Sequence, residues 1–237
     1  MKESYTHITL VVDRSGSMES IKADAQGGIN TFVRDQKEVK GEATFYLADF
    51  DTEHQDVFGP ADIQGFSHYA LKPRGGTALY DAIGKAIVTT GEFLDKMDEA
   101  DKPGRVVLCI VTDGGENSSR EFTGDQVRAL VTEHQDKYNW QVVFIGANIN
   151  AYATGTSLGF RGQHTTQYHA TPQSATAMFS NVNSTVKAYR GAAAGSMMGA
   201  VASTDAGGNN TANPGTGKVW DDDTKSWVDP DTVVNTR

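Results

Sequence analysis

The sequence predicts an α/β fold whose central sheet is doubly wound and mostly parallel, with about six strands, one short antiparallel edge strand and flanking helices. Two observations predict this fold. Apolar runs alternate along the chain with segments of helical periodicity, which is the pattern that repeated β/α units produce. The run Val106–Val111 is apolar at every position, which indicates a strand that helices bury on both faces.

The individual elements are predicted from the apolar runs and from the segments of helical periodicity. Four apolar runs are predicted to be strands, namely Ile8–Val12, Ala43–Phe50, Val106–Val111 and Val142–Ile145. Two shorter segments are predicted to complete the sheet, Gln55–Phe58 and Gln167–His169. Apolar residues at three- and four-residue spacing predict five helices, at about Glu19–Lys37, Leu79–Leu94, Gly124–Gln135, Asn150–Leu158 and Ser174–Tyr189.

Composition divides the 237 residues into three parts. Residues 1–190 are predicted to form one domain, since a segment of this length fills one α/β core. Residues 191–217, rich in Gly, Ala and Asn, are predicted to be a flexible linker. Residues 218–237 form a short acidic tail in which Trp220 and Trp227 flank a polar turn. This tail is interpreted as a small hairpin or a docking peptide that needs the domain or a partner to order it.

Charge and composition restrict the classes of partner. The formal net charge of −9 argues against a nucleic-acid surface, which needs clustered Lys and Arg. No apolar run approaches the roughly 18 residues of a membrane span. No signal peptide is visible at the N-terminus, and the lone Cys109 excludes an internal disulfide, so a cytoplasmic location is expected. Glycines at every fourth position, Gly191, Gly195 and Gly199, leave self-association through the last helix open.

A candidate metal site begins directly after the first predicted strand. There Asp13, Ser15 and Ser17 stand at alternate positions, so three oxygen-bearing side chains leave one short loop. Oxygen ligands in a compact loop suit a hard divalent cation such as Mg²⁺ or Mn²⁺. Loops at the carboxyl ends of parallel strands are also where open α/β sheets place their ligands.

Two further segments contribute oxygen atoms to the same edge of the predicted sheet. Thr77 follows a Gly-Gly pair at the entrance of a predicted helix, and Asp113 closes the strand Val106–Val111. Since the carboxyl ends of parallel strands meet at one edge, these residues are expected to converge with the Asp13 loop on one cation. Taken singly, each of these residues has another interpretation as a helix cap or a turn residue.

The order Asp-x-Ser-x-Ser, then Thr after Gly-Gly, then Asp-Gly after a central strand resembles the von Willebrand factor type A (vWA) domain and its metal-ion-dependent adhesion site. The resemblance covers about residues 5–190, and all five ligand positions are present, as Asp13, Ser15, Ser17, Thr77 and Asp113. The segments Arg74–Leu79, Thr112–Ser119 and Phe144–Asn148 are similar to those of stand-alone bacterial and phage members. The resemblance implies a Rossmann-like vWA fold.

The resemblance also implies a non-enzymatic binding mechanism. Ser15, Ser17 and Thr77 would coordinate Mg²⁺ or Mn²⁺ directly, while Asp13 and Asp113 act through water or switch between direct and water-mediated contact. A cation held mainly by neutral hydroxyls retains positive charge that attracts an Asp or Glu of a partner protein.

Two alternative functions remain open on the sequence. The chain could be a structural component of an assembly, possible for a phage particle, with the Trp220/Trp227 tail as its attachment peptide. It could also be a metal-dependent hydrolase, for which Glu116 is the visible candidate base. Glu116 and Asn117 otherwise orient the site from a second layer or are solvated loop residues. Asp49 and Asp51 are interpreted as structural or loop acids.

Overall fold

A computed structural model describes residues 1–147, 149–193 and 195–211, together with the backbone of 219–221 and 226–228. Its centre is a six-stranded sheet in the order β3-β2-β1-β4-β5-β6. The strands are β1 (Lys2–Asp13), β2 (Glu42–Phe50), β3 (His54–Asp62), β4 (Pro103–Thr112), β5 (Gln141–Ala147) and β6 (Thr165–Tyr168). All neighbours pair in parallel except β2 and β3, which are antiparallel. The predicted fold class and its antiparallel edge strand are confirmed.

The strand order reverses direction at the centre of the sheet. From β1 the chain builds outward through β2 and β3, and from β4 it builds through β5 and β6 on the other side. The boundary between β1 and β4, where Val12 pairs with Val111, is therefore the topological switch point. Ligands of open α/β sheets bind in the crevice at the carboxyl ends of such strands. Asp13 ends β1 and Asp113 directly follows β4 at this crevice.

Helices cover both faces of the sheet, and all five predicted helices are present. They are α1 (Lys22–Lys37), α2 (Leu79–Asp95), α3 (Gly124–Lys137), α4 (Ala151–Ser157) and α5 (Pro172–Gly191). A 3₁₀ helix, Gly16–Ile21, leads into α1. Two hydrophobic clusters result, one beneath α1 and α5 and one beneath α2, α3 and α4. Residues of β1 alternate between them: Leu10 and Val12 lie in the first and Val11 in the second, which explains the continuous apolar runs.

The segment that follows α5 differs from the linker prediction over its described part. Met198 and Val201 are buried in the cluster beneath α1 and α5. The short strands β7 (Ser203–Thr204) and β8 (Asn210–Thr211) pair beside the open edge of β6, where the Gln167 amide donates to Ser203 Oγ at 3.0 Å. A composition rich in small residues predicts a linker, but two apolar side chains and a few hydroxyls suffice to dock this segment. The domain therefore extends past residue 190.

The glycines at every fourth position from Gly191 do not share a helix. Helix α5 ends at Gly191, and Gly195 and Gly199 lie in non-helical chain beyond it, so the interpretation of this spacing as a helix-contact surface is wrong. No helix in the described part of the chain is both long and apolar enough to cross a bilayer.

In the tail, the strands β9 (Val219–Asp221) and β10 (Ser226–Val228) pair antiparallel, with Trp220 opposite Trp227. The remainder of the predicted linker and tail, at 194, 212–218, 222–225 and 229–237, lies outside the described residues. Two strands of this length are marginal as an isolated unit in water. The attachment role of the tail stays a prediction.

Candidate metal site

Asp13 connects the two central strands at their carboxyl ends. Its side chain is buried, and its Oδ1 accepts a hydrogen bond of 2.6 Å from the Ser15 amide. Its Oδ2 accepts a hydrogen bond of 2.6 Å from Thr112 Oγ1, at the end of β4. One carboxylate thereby fixes the loop after β1 against the strand that carries Asp113.

Ser15, Ser17 and Asp113 form a continuous row of oxygen atoms. Ser17 Oγ lies 3.1 Å from Ser15 Oγ and donates to Asp113 Oδ1 at 2.7 Å. Asp113 is only 4% exposed, and its Oδ2 has no hydrogen-bond partner among the described residues. A buried carboxylate oxygen without a donor is costly, so this atom is suited to a ligand that brings positive charge.

Thr77 approaches the row from the turn before α2. Its side chain is buried, and a Cβ atom placed on Gly114 would lie 3.3 Å from Thr77 Oγ1 and 3.9 Å from Ser17 Oγ. Gly114 therefore lies beside both hydroxyls. The structure brings all five predicted site residues together at the switch point of the sheet.

Helix capping does not account for these hydroxyls. Ser15 occupies the N-cap position of the 3₁₀ helix, but its side chain makes no capping hydrogen bond. The N-cap of α2 is Ala78, so the Thr77 hydroxyl does not cap that helix either. The hydroxyls of Ser15 and Thr77 are thus available to a ligand at the crevice.

Burial disfavours negative charge on both carboxyl groups of the site. Burial raises the pKa of Asp13 to about 6, although hydrogen bonds from Thr112 and Ser15 oppose the shift. Burial also raises the pKa of Asp113, against the hydrogen bond from Ser17. A cation placed between the two groups would reverse this trend, because opposite charge favours the ionised form.

The donor groups all bear oxygen, and three of the five are neutral hydroxyls. In the part of the chain that the structure describes, no group of three or more His, Cys, Asp or Glu side chains is placed to hold a metal. The cluster instead offers three hydroxyls and two carboxylates, which match a hard cation of the Mg²⁺ or Mn²⁺ type. These residues fit such an ion and provide no soft ligand for thiophilic metals.

Asn117 holds the Thr77 turn to the loop after β4. Its side-chain Oδ1 accepts from the Thr77 backbone amide at 2.8 Å, and its backbone amide donates to the Thr77 carbonyl at 3.0 Å. This reciprocal pair fixes the backbone of Thr77. These bonds favour the interpretation of Asn117 as a residue that orients the Thr77 turn over that of a solvated loop residue.

Glu116 has a similar role on the same loop. Its carboxylate accepts from the amides of Tyr80, Ser118 and Ser119 at 2.7–3.0 Å, and from Ser119 Oγ at 2.6 Å. Oε2 attaches the loop to the first turn of α2 through the Tyr80 amide, and Oε1 accepts from two amides of the loop itself. Glu116 is therefore a structural acceptor, and its oxygens are not free to take a proton from water.

Sequence reasoning missed a cluster of ion pairs beneath the site. Arg14, inside the first loop, is buried and pairs with Asp49 and Asp51, each at 3.0 Å. Arg74 pairs with the same Asp51 at 2.6 Å. The interpretation of Asp49 and Asp51 as structural acids agrees with these pairs. The signal was two arginines within the site loops and two acids at the end of β2, but sequence alone does not show that they meet.

Comparisons with known proteins agree on the architecture. No protein-family model and no curated protein sequence matches this chain. Among solved structures, it is similar to proximal thread matrix protein 1 from the mussel byssus, solved with a zinc-occupied MIDAS motif, which is its metal-ion-dependent adhesion site. That protein is 14% identical with a TM-score of 0.53, over 79% of this chain and 47% of the mussel protein. This chain thus spans about half the length of the mussel protein.

Two other structures have comparable similarity. The manganese-loaded TRAP protein of Plasmodium vivax is 15% identical with a TM-score of 0.53, over 73% of this chain and 71% of TRAP. A von Willebrand factor type A protein from Catenulispora acidiphila is 12% identical with a TM-score of 0.49, over 77% of this chain and 42% of that protein. At such identities the similarity concerns the fold alone. The mussel protein and TRAP, whose TM-scores exceed 0.5, together with the strand order show that the chain has the Rossmann-like α/β fold predicted from its resemblance to the von Willebrand factor type A domain.

Proposed function

We propose that this protein binds Mg²⁺ or Mn²⁺ through Asp13, Ser15, Ser17, Thr77 and Asp113, and uses the bound ion to capture an acidic side chain of a partner protein. The observation that carries the proposal is the row of oxygen atoms from Ser15 Oγ through Ser17 Oγ to the buried Asp113 carboxylate. The second oxygen of the Asp113 carboxylate, Oδ2, is buried and has no hydrogen-bond partner among the described residues.

The residues divide into two kinds of ligand. The hydroxyls of Ser15, Ser17 and Thr77 are the direct ligands, and the carboxylates of Asp13 and Asp113 act mainly through water. Asp13 already accepts two hydrogen bonds, which supports an indirect role. When bound, the ion supplies positive charge that this chain compensates only in part.

An incompletely compensated cation at an accessible edge attracts a foreign carboxylate. Gly16, Gly115 and Asn117 at the mouth of the site are exposed, while Asp13 and Asp113 beneath them are buried. The ion would therefore be open to a partner on one side only. Attraction between a metal and a carboxylate in a partly desolvated site exceeds that of an exposed salt bridge.

Binding without catalysis is favoured over hydrolysis. A hydrolase needs a base that can take a proton from the metal-activated water. Glu116 was the candidate for that role, and its oxygens already accept four hydrogen bonds. The site geometry consequently supports an interaction module.

Water proton relaxation tests the capture of a carboxylate directly. The Mn²⁺-loaded protein is titrated with N-acetyl-aspartate amide, and with N-acetyl-asparagine amide as the uncharged control. We expect the aspartate compound to reduce the relaxation enhancement by displacing water from the ion, and the asparagine compound to leave it unchanged. Equal effects of the two compounds would contradict carboxylate capture.

Ser17→Ala and Ser20→Ala form a matched pair for the ligand assignment. Ser17 Oγ belongs to the proposed ligand set, whereas the exposed Ser20, three residues later, donates only to the Ser17 carbonyl at 3.2 Å. We expect Ser17→Ala to lose Mn²⁺ binding and Ser20→Ala to retain it. If both variants bind Mn²⁺ as the wild type does, the assignment of Ser17 is wrong.

A further inference from the structure

A buried ion-pair cluster joins the two loops that carry the proposed hydroxyl ligands. We call Arg14, Asp49, Asp51 and Arg74 the Asp51 cluster. Asp51 is at its centre and is 1% exposed. Arg14 stands between Asp13 and Ser15 in the first loop, and Arg74 stands three residues before Thr77 in the second. The cluster therefore touches both loops but contains none of the five proposed ligands.

One carboxylate oxygen of Asp51 receives both guanidinium groups. Asp51 Oδ2 accepts from Arg14 Nε at 3.0 Å and from Arg74 Nε at 2.6 Å. The other oxygen, Oδ1, accepts from the Glu53 amide at 2.8 Å, which fixes the carboxylate to its own turn. Charge-assisted bonds of this kind are shorter and stronger than neutral ones. Asp51, which directly follows β2, is thus bonded to an arginine of each loop.

Backbone hydrogen bonds also connect the two loops to each other and to Asp51. The Arg74 amide donates to the Arg14 carbonyl at 2.7 Å, and the Gly16 amide donates to the Gly75 carbonyl at 3.2 Å. The Asp51 carbonyl accepts from the Ala78 amide at 2.7 Å. Ser15 therefore lies between two residues whose backbone is hydrogen-bonded to the second loop. Thr77 is followed directly by the residue whose amide is hydrogen-bonded to Asp51.

The fit around Asp51 leaves little room for adjustment. Gly75 has a positive φ of +67°, a conformation that glycine adopts without strain. A Cβ atom added to Gly75 would lie 3.3 Å from Asp51 Cβ. The second loop thus runs directly over the Asp51 side chain, and a change in that side chain is expected to move the loop.

The buried part of this cluster, Arg14, Asp49 and Asp51, is not explained by stability alone. Removing three charges from water has a large desolvation cost, and apolar replacements of buried ion pairs are often as stable. Such groups are better understood when they fix a specific geometry. The four charges of the cluster cancel, and Glu53, which also pairs with Arg74 at 3.3 Å, is exposed to solvent that screens its charge. The effect of the cluster on a nearby cation therefore acts mainly through the placement of the ligands.

We propose that Asp51 is a positioning residue of the metal site, which sets the spacing between the Ser15–Ser17 hydroxyls and Thr77 by holding Arg14 and Arg74. This inference rests on the proposed metal binding. Residues that orient metal ligands from outside typically change metal affinity by 10- to 100-fold when they are mutated.

The test measures Mn²⁺ affinity by calorimetry and unfolding in EDTA for the same set of variants. Asp51→Asn removes the charge that holds both arginines. Arg74→Gln removes one of the two ion pairs of Asp51. Because the Arg74 side chain is 59% exposed, this variant is expected to fold even if Asp51→Asn does not. Asn183→Ala is the control: it removes a buried amide that bonds Gln36 and Asp35 at the opposite end of α1.

We expect Asp51→Asn to weaken Mn²⁺ binding by about 10- to 100-fold, and Arg74→Gln to cause a smaller loss in the same direction. Asn183→Ala should lose stability in EDTA yet keep the affinity of the wild type. If the wild type binds Mn²⁺ and both cluster variants match its affinity, the positioning role is wrong while the proposed function stands. A folded wild type that takes up no Mn²⁺ overturns both.

Discussion

Two buried polar networks of this molecule differ in whether every buried polar atom has a hydrogen-bond partner. We call a network closed when each atom has one and open when an atom lacks one. The His7 network lies between β1, β2 and α2, where His7 Nδ1 is 2.8 Å from Thr44 Oγ1 and His7 Nε2 is 3.0 Å from Thr9 Oγ1. Thr9 Oγ1 in turn lies 2.7 Å from Thr90 Oγ1. At the metal site, in contrast, Asp113 Oδ2 has no partner among the described residues.

This difference shows that one fold can use separate polar networks for stability and for the proposed binding. In the closed His7 network each buried polar atom is satisfied by a neighbour, so the network holds the sheet to α2 and has nothing to offer a ligand. The open network leaves a buried carboxylate oxygen and raised carboxyl pKa values. The proposed cation would satisfy this oxygen, and its binding would stabilise the folded chain.

The largest expected effect concerns Asp113→Asn, which removes charge from the open network. We expect Mn²⁺ binding to be lost in calorimetry, because the buried carboxylate supplies negative charge to the ion. Stability in EDTA should not fall and should rise by about 1 kcal/mol, since a buried carboxylate that lacks a donor is unfavourable. A clear loss of stability in EDTA would show that the network is closed in solution.

Gly76→Ala is expected to weaken the site by displacing its outer support. A Cβ atom at Gly76 would lie 2.5 Å from Ser118 Oγ and 2.8 Å from Asn117 Oδ1, the atom that accepts from the Thr77 amide. We expect a loss of about 10-fold in Mn²⁺ affinity. Gly115→Ala is the matched control, because a Cβ atom there has nothing within 4 Å. Equal affinities of the two variants would contradict the role of Asn117.

The pH dependence of unfolding sharpens the description of the closed network. Burial lowers the pKa of His7 to about 3 from its ordinary value of 6.5. As the pH falls below 6.5, the unfolded chain takes up a proton that folded His7 does not, so stability is lost. Between pH 6.5 and pH 5 this loss is about 2 kcal/mol.

Urea unfolding at the two pH values, in EDTA, measures this contribution. His7→Gln is the comparison, because glutamine cannot titrate in this range. We expect the wild type to lose about 2 kcal/mol more than His7→Gln between pH 6.5 and pH 5. Identical losses would mean that His7 is protonated, or exposed, in the folded protein.

The smallest expected effect comes from opening the closed network at one bond. Thr90→Val keeps the shape of the side chain but removes the hydroxyl that Thr9 contacts. Since His7 still bonds Thr9, we expect a loss of about 1 kcal/mol in the free energy of unfolding. Mn²⁺ affinity should be unchanged; a parallel loss of affinity would show that the two networks are coupled.

The parts of the molecule that sequence could predict are those encoded locally. Strand and helix periodicity gives the sheet and its five helices, and alternate positions in one loop place Asp13, Ser15 and Ser17 together. The direction of parallel strands then brings Thr77 and Asp113 to the same edge. These inferences need no knowledge of individual long-range contacts.

The features that sequence did not predict depend on such contacts. Arg14 and Asp51 are 37 residues apart and look like ordinary loop charges until the structure joins them. Met198 and Val201 lie in a segment with the composition of a linker, and neither has an apolar periodicity to mark its burial. Their roles follow from the open edge of β6 and the space beside α5, which only the assembled fold defines.

Calorimetric titration of Mg²⁺ and Mn²⁺ into the EDTA-stripped, folded wild-type protein tests the central claim most directly. The open network at Asp13 and Asp113 predicts saturable uptake of one ion per chain, and the same titration of Ser17→Ala should show none. A wild-type chain that circular dichroism shows to be folded, and that nevertheless takes up neither metal, would contradict the account.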